Sequence, residues 1–177
     1  MIEAGLGACH LAAAGRELSS MWRIELLHPA VVHFPVALTL VGTGFWLLGV
    51  AAARWPRLSP FRLSSLVLLC LAAVSAWAAV QTGLWADDVV GRELFDPRPL
   101  KDHENNAFIV AWMLTAAALA DLLRRWRPVP QWGRKLAPWL VAGLLVAACG
   151  VVAYVAHLGA GLVYQQGAGV ILPGAGS

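Results

Sequence analysis

The residues of this sequence best suited to chemistry are its histidines, His10, His28, His33, His103 and His157. Imidazole ligates haem iron and transition metals and carries protons near neutral pH. Four of the five stand at the edges of long apolar stretches: His28 and His33 at the start of the first, His103 at the start of the third, and His157 near the end of the fourth. Few other side chains offer competing chemistry. No serine or cysteine nucleophile stands in a recognisable arrangement with a base, so hydrolase chemistry has no support. Cys9, Cys70 and Cys149 are too scattered for a disulfide framework or a paired-thiol metal knuckle. Cys9 adjoins His10, but a covalent haem attachment needs a cysteine three residues earlier, where Leu6 stands.

The elements that must position the histidines follow from composition. Of 177 residues, 59% are hydrophobic and 13% charged, and the mean hydropathy is +0.68. A soluble domain runs near half apolar and about a quarter charged, so an ordinary cytosolic enzyme is excluded as a first reading. Windows of about 17 to 25 apolar residues cross a hydrocarbon core as helices. Four stand out: 35–53, with Pro29 as an alternative start, then 63–82, 107–123 and 138–164. Prolines punctuate them, with Pro138 read as a first-turn residue. The expected fold is all-α, an integral membrane four-helix up-down bundle. It is divided into an N-terminal extracytoplasmic segment 1–27, a four-helix domain 28–170 and a tail 171–177.

Arg54, Arg57 and Arg62 follow the first span, and Arg124, Arg125, Arg127, Arg134 and Lys135 follow the third. Positive loops stay cytoplasmic, which places both termini on the other side, periplasmic in a Gram-negative inner membrane. The net charge of +3 is small and unclustered along any helix, so nucleic acid is not an expected partner; the bilayer is. Trp22, Trp85, Trp126, Trp132 and Trp139 fall near span ends, as interfacial anchors do. Residues 1–20 lack the pattern of a secretory signal, and Met21 is a candidate start.

In an up-down bundle the starts of spans one and three and the end of span four share one membrane face, so His28, His33, His103 and His157 converge on one outer layer. Two stripes at helical spacing are expected to face protein. One is Gly143, Ala147, Gly150, Tyr154, His157 and Gly161; the other is His103, Ala107, Val110, Leu114, Ala117 and Asp121. Pro35 cannot donate a backbone hydrogen bond, so His33 is expected beside a break in the first span. Gln81, Asn105 and Asn106 could orient ligating rings. Asp121, three and four residues before Arg124 and Arg125, reads as a structural ion pair. Asp87, Asp88, Asp96 and Asp102 read as a solvated loop, and Cys70 and Cys149 as small buried residues. Spans one and two show no evident repeat in three and four.

Several segments together resemble a known family: LHPAVVHFPVAL at 27–38, Thr82–Gly83, the histidine opening span three, and GAGLVYQQGAGV at 159–170. They are similar to the bacterial four-span proteins of domain of unknown function 2231, over roughly residues 27–170. The matching residues are His28, Pro29, His33, Pro35, His103, Gly159, Leu162, Val163, Tyr164, Gly167, Gly169 and Val170. The resemblance implies a membrane protein without an established activity. Members encoded beside or fused to cytochrome c domains imply a redox context. Gln165 and Gln166 depart from the basic residue or histidine often found there, and His157 is not a family position. A ligand site shared by the family would therefore favour His28, His33 and His103.

The leading expectation is one b-type haem or a metal such as copper at the outer face, exchanging electrons with a quinone or a periplasmic cytochrome c. His33 and His103 are the expected ligand pair, with His28 or His157 as the alternative; His28, His33 and His103 are the metal-ligand candidates. Two other readings stand beside it. One is a non-catalytic scaffold or assembly subunit, whose histidines only shape the bundle. The other, ranked last, is a small-solute or metal transporter.

Overall fold

The computed structural model describes residues 24–126 and 130–170. The candidate start at Met21, the Cys9–His10 pair, Trp22, the Trp126 side chain and the tail 171–177 lie outside the described residues. Four long helices make up nearly everything else: α1 (Leu27–Ala51), α2 (Pro60–Val90), α3 (Arg98–Trp126) and α4 (Gln131–Gln166). Each contains a stretch long and apolar enough to cross a membrane. Successive helices pack side by side, and α1 also touches α4, giving the expected up-down bundle.

α1 is interrupted for one residue at Val32, between Leu27–Val31 and His33–Ala51. Pro35 has no N–H for the carbonyl of Val31, and the next bond, Val36 N–H to the carbonyl of Val32, is long at 3.4 Å. The helix therefore begins before the proline, and the break is mild. α4 ends at Gly167, whose φ of 70° lets its N–H reach the carbonyl of Val163 at 3.1 Å. The N–H of Ala168 then reaches the carbonyl of Leu162 at the same distance, closing a Schellman cap.

The helices overrun the hydropathy windows at both ends of the second connection. α2 continues to Val90 and α3 starts at Arg98, so only residues 91–97 form the loop. Asp87 and Asp88 thus extend α2, and Asp102 belongs to the first turns of α3; they are not parts of a solvated loop. Hydropathy marks hydrocarbon, whereas a helical backbone satisfies its own hydrogen bonds on into the polar interface. Pro138 likewise lies inside α4, seven residues past its start, and not in a first turn.

The stripe expected on α3 is the inner one: Val110, Leu114, Ala117 and Asp121 are buried. On α4 the expected stripe faces out. Gly143, Ala147, Gly150, Tyr154 and His157 are exposed, while Val141, Leu145, Ala148, Val152 and Leu162 are buried. Lipid is as apolar as a core, so spacing fixes the period of such a stripe without fixing which side it faces. Here the branched side chains face the core, and a Cβ at Gly143 or Gly150 would meet nothing within 4 Å. Cys70 is also exposed, contrary to the buried place expected for it.

The two hairpins, α1–α2 and α3–α4, repeat one another. Fully or nearly fully buried residues of α1 (Pro35, Thr39, Gly42, Thr43, Trp46) recur 75 positions on, at Val110, Leu114, Ala117, Ala118 and Asp121. Those of α2 (Ser65, Leu69, Ala72, Ala76) recur 76 positions on, at Val141, Leu145, Ala148 and Val152. Two pairs of equivalent residues also meet each other: His28 lies against His103, and Trp46 bonds Asp121. The repeat escaped sequence reading because matched positions are mostly different apolar residues.

Candidate functional site

Two of the histidines come together at one end of the bundle. His28, half-buried on α1, is hydrogen-bonded through Nδ1 to the carbonyl of Ala79 on α2 at 3.0 Å, with Thr82 Oγ1 3.4 Å away. His103, half-buried on α3, is bonded through Nδ1 to the carbonyl of Val155 on α4, also at 3.0 Å. A carbonyl only accepts, so each Nδ1 carries the proton and each Nε2 of the neutral ring keeps its lone pair. Neither Nε2 has a hydrogen bond among the described residues.

Each ring also rests against a glycine four residues beyond its carbonyl. A Cβ on Gly83 would lie 3.0 Å from Cε1 of His28, and one on Gly159 would lie 3.1 Å from Cε1 of His103. The two seats are equivalent in the repeat, and His28 and His103 are its matching imidazoles. Alanine at either glycine gains helix propensity of about 0.5–1 kcal/mol but overpacks the ring by about 1–3 kcal/mol. We expect Gly83→Ala and Gly159→Ala each to lose roughly 0.5–2 kcal/mol in a denaturation measurement, and Gly150→Ala, with open space around it, to gain. Equal gains at all three positions would remove the ring seats from the account.

The two imidazoles face each other edge to face, with centroids 6.0 Å apart and planes at 86°. Metal–nitrogen bonds run about 2.0–2.1 Å, so two rings sharing one ion hold their centroids roughly 5–6.5 Å apart, with the ion in both ring planes; the distance of the pair meets this, and an edge-to-face pair meets the second condition once one ring turns. A cavity of about 30 Å³ adjoins the pair, with Gly83, Leu84, Asp87 and Glu104 among its lining residues. That is room for a single ion or one or two waters. Among the described residues no third histidine, cysteine or carboxylate converges to complete a larger ligand set.

The sequence is matched by a family profile. The description of that profile is "Predicted membrane protein (DUF2231)", and it covers residues 25–171. The chain belongs to this family. No curated protein and no solved structure matches it. Family membership and four spanning helices together make it a protein of the lipid bilayer, and the DUF2231 description assigns no activity.

Within this DUF2231 chain, the other expected ligands stand apart from the pair. His33 is exposed on α1, since five residues of helix turn it well away from the face of His28. His157 is exposed on α4, on the side opposite Val155 and Gly159, which hold His103. The pair brought together is therefore His28 with His103, and not His33 with His103. Gln81 and Asn105 are exposed and Asn106 bonds the carbonyl of Asp102 at 2.7 Å, so backbone carbonyls orient the rings in their place. Thr82, Gly83 and Gly159, quoted above only as motif letters, are seats of the site. Gln166 accepts the N–H of Asp96 at 3.2 Å, which ties the 91–97 loop to the end of α4.

The opposite end is held by Asp121, which is fully buried. It accepts from Trp46 Nε1 at 3.1 Å, Arg124 Nε at 2.7 Å and Arg125 Nε at 2.9 Å. Arg125 continues to the carbonyl of Arg62 on α2 at 2.7 Å. The structural ion pair expected from spacing is thus present and reaches three helices.

Proposed function

We propose that the protein is a membrane metal-binding subunit in which His28 and His103 hold one transition-metal ion through their Nε2 atoms. The observation that carries this reading is the pair itself: two rings from facing helices, each with its Nδ1–H on a carbonyl, at a centroid separation that one ion can bridge once the ring presenting its face turns its Nε2 toward the other. Imidazole nitrogens without a thiolate suit copper, iron, zinc or nickel, and copper is our assignment. A haem fits less well. Pockets for ligands of that class measure about 300–1,000 Å³, against about 30 Å³ beside the pair.

Copper at this place would supply one-electron chemistry. The chain itself contributes two imidazole Nε2 atoms, a helix-packed floor and access from one end of the bundle. We assign that end to the periplasmic side of an inner membrane, because the arginine-rich connections are at the other. There the centre would exchange electrons with a cytochrome c or a quinone.

The test is metal analysis and a visible spectrum of the full-length protein in detergent, before and after loading with copper. One copper per chain without a Soret band supports the proposal, whereas a Soret band returns the haem in its place. Neither metal nor chromophore after loading leaves the scaffold reading, which the same carbonyl bonds and glycine seats also favour as helix-packing devices. A transporter is less well supported, since Leu69, Leu114 and Leu145 are fully buried where a midplane site would lie.

A further inference from the structure

The cavity beside the histidine pair opens where α2 meets α3, and the repeat makes the looser meeting of α4 with α1 its counterpart. They differ in charge. In the α2–α3 groove Asp87 stands one turn beyond Gly83, and Lys101 and Glu104 flank His103. Asp87 and Glu104 line the same cavity as the two imidazoles. Lys101 bridges them, its Nζ 3.4 Å from Asp87 Oδ2 and 2.7 Å from Glu104 Oε2. The corresponding places in the α4–α1 groove are held by Val163, Leu26 and Pro29, none of them charged. Glu25 occupies the place of Leu100 and is buried in the turn that packs against α2.

We propose that the α2–α3 mouth is the entrance by which a cation reaches His28 and His103, with the ammonium of Lys101 as its displaceable placeholder. The inference rests on the metal reading above and adds route, gate residues and charge selection to it. Two carboxylates at the rim of a low-dielectric groove concentrate cations and speed their capture. The lysine side chain is 59% exposed, whereas Asp87 and Glu104 are 28% and 24% exposed. A salt bridge that open to water is weak and exchanges readily. A metal aqua ion can therefore take the place of the ammonium between the carboxylates and pass one to two helix turns inward to the rings. An anion or a neutral ring compound gains nothing from this mouth.

The experiment is stopped-flow mixing of full-length protein in detergent with Cu²⁺, read by quenching of tryptophan fluorescence at several ionic strengths. Four variants are compared with the wild type: Asp87→Asn with Glu104→Gln, Lys101→Met, Asp88→Asn and His103→Ala. Asp88 is exposed beside Asp87 but does not line the cavity, so it controls for net charge. The double variant is expected to bind about tenfold more slowly, with a flattened salt dependence and an unchanged dissociation rate. Lys101→Met is expected to bind several-fold faster, a change of sign that misfolding does not imitate. Asp88→Asn should match the wild type within about twofold.

Equal association rates in the wild type, the double variant and Lys101→Met, with copper still lost in His103→Ala, would overturn the entrance and leave the histidine site standing. Slowing by Asp88→Asn to the same degree as the double variant would overturn the entrance too. A wild type that takes up no Cu²⁺ would overturn both.

Discussion

Replacing Asp121 with alanine is expected to destabilise the bundle by about 2–4 kcal/mol, more than any other single exposed or buried polar change outside the histidine end. The carboxylate is 0% exposed and holds an indole N–H and two guanidinium groups at once. Removing one partner of a buried ion pair commonly costs about 3–5 kcal/mol, because the remaining charge is left without a counter-ion. Here the arginines can swing partly toward water, which recovers some of that loss. Asp121→Asn keeps the shape and the acceptor for Trp46 and should lose roughly half as much. Denaturation in detergent, followed by tryptophan fluorescence, measures both; a loss below about 0.5 kcal/mol for alanine would show that the network is decorative.

The second large effect is expected at the other end. His28→Ala and His103→Ala should each weaken copper binding by at least about 100-fold, since a site of two nitrogens keeps one and loses its bridging geometry. His33→Ala and His157→Ala should bind as the wild type does, because neither ring shares the cavity. Copper titration with electron paramagnetic resonance on the bound ion tests this: two nitrogens couple in the wild type and in the latter pair, and the signal is lost in the former. Loss of binding in His33→Ala with retention in His28→Ala would return the ligand pair to the one expected from the sequence.

The number of spans, their class and their order were legible in the sequence because apolar length is the property a bilayer selects. The break near His33 was legible too, since Pro35 lacks a donor wherever it stands. What hydropathy could not supply was rotation. His28 and His33 are five residues apart, and a sequence whose helices are apolar on every side does not reveal which one faces in. The stripe of Gly143, Ala147 and Gly150 failed for the same reason. A usable signal did exist: His103 follows His28 by 75 residues and Gly159 follows Gly83 by 76. Read together, those spacings pair the two histidines and exclude His33 and His157, each of which lacks a histidine counterpart. The Lys101 bridge could not be foreseen, because Asp87 stood in what read as a loop.

The duplicated hairpin also bears on how the chain enters a membrane. Each hairpin turns at its own arginines, Arg54, Arg57 and Arg62 in one and Arg124 and Arg125 in the other. The instruction for sidedness is therefore written twice, and the two copies agree. Weakening one turn leaves the other to hold the orientation. The two halves therefore carry matching orientation signals, and neither has to be held against the preference of the other.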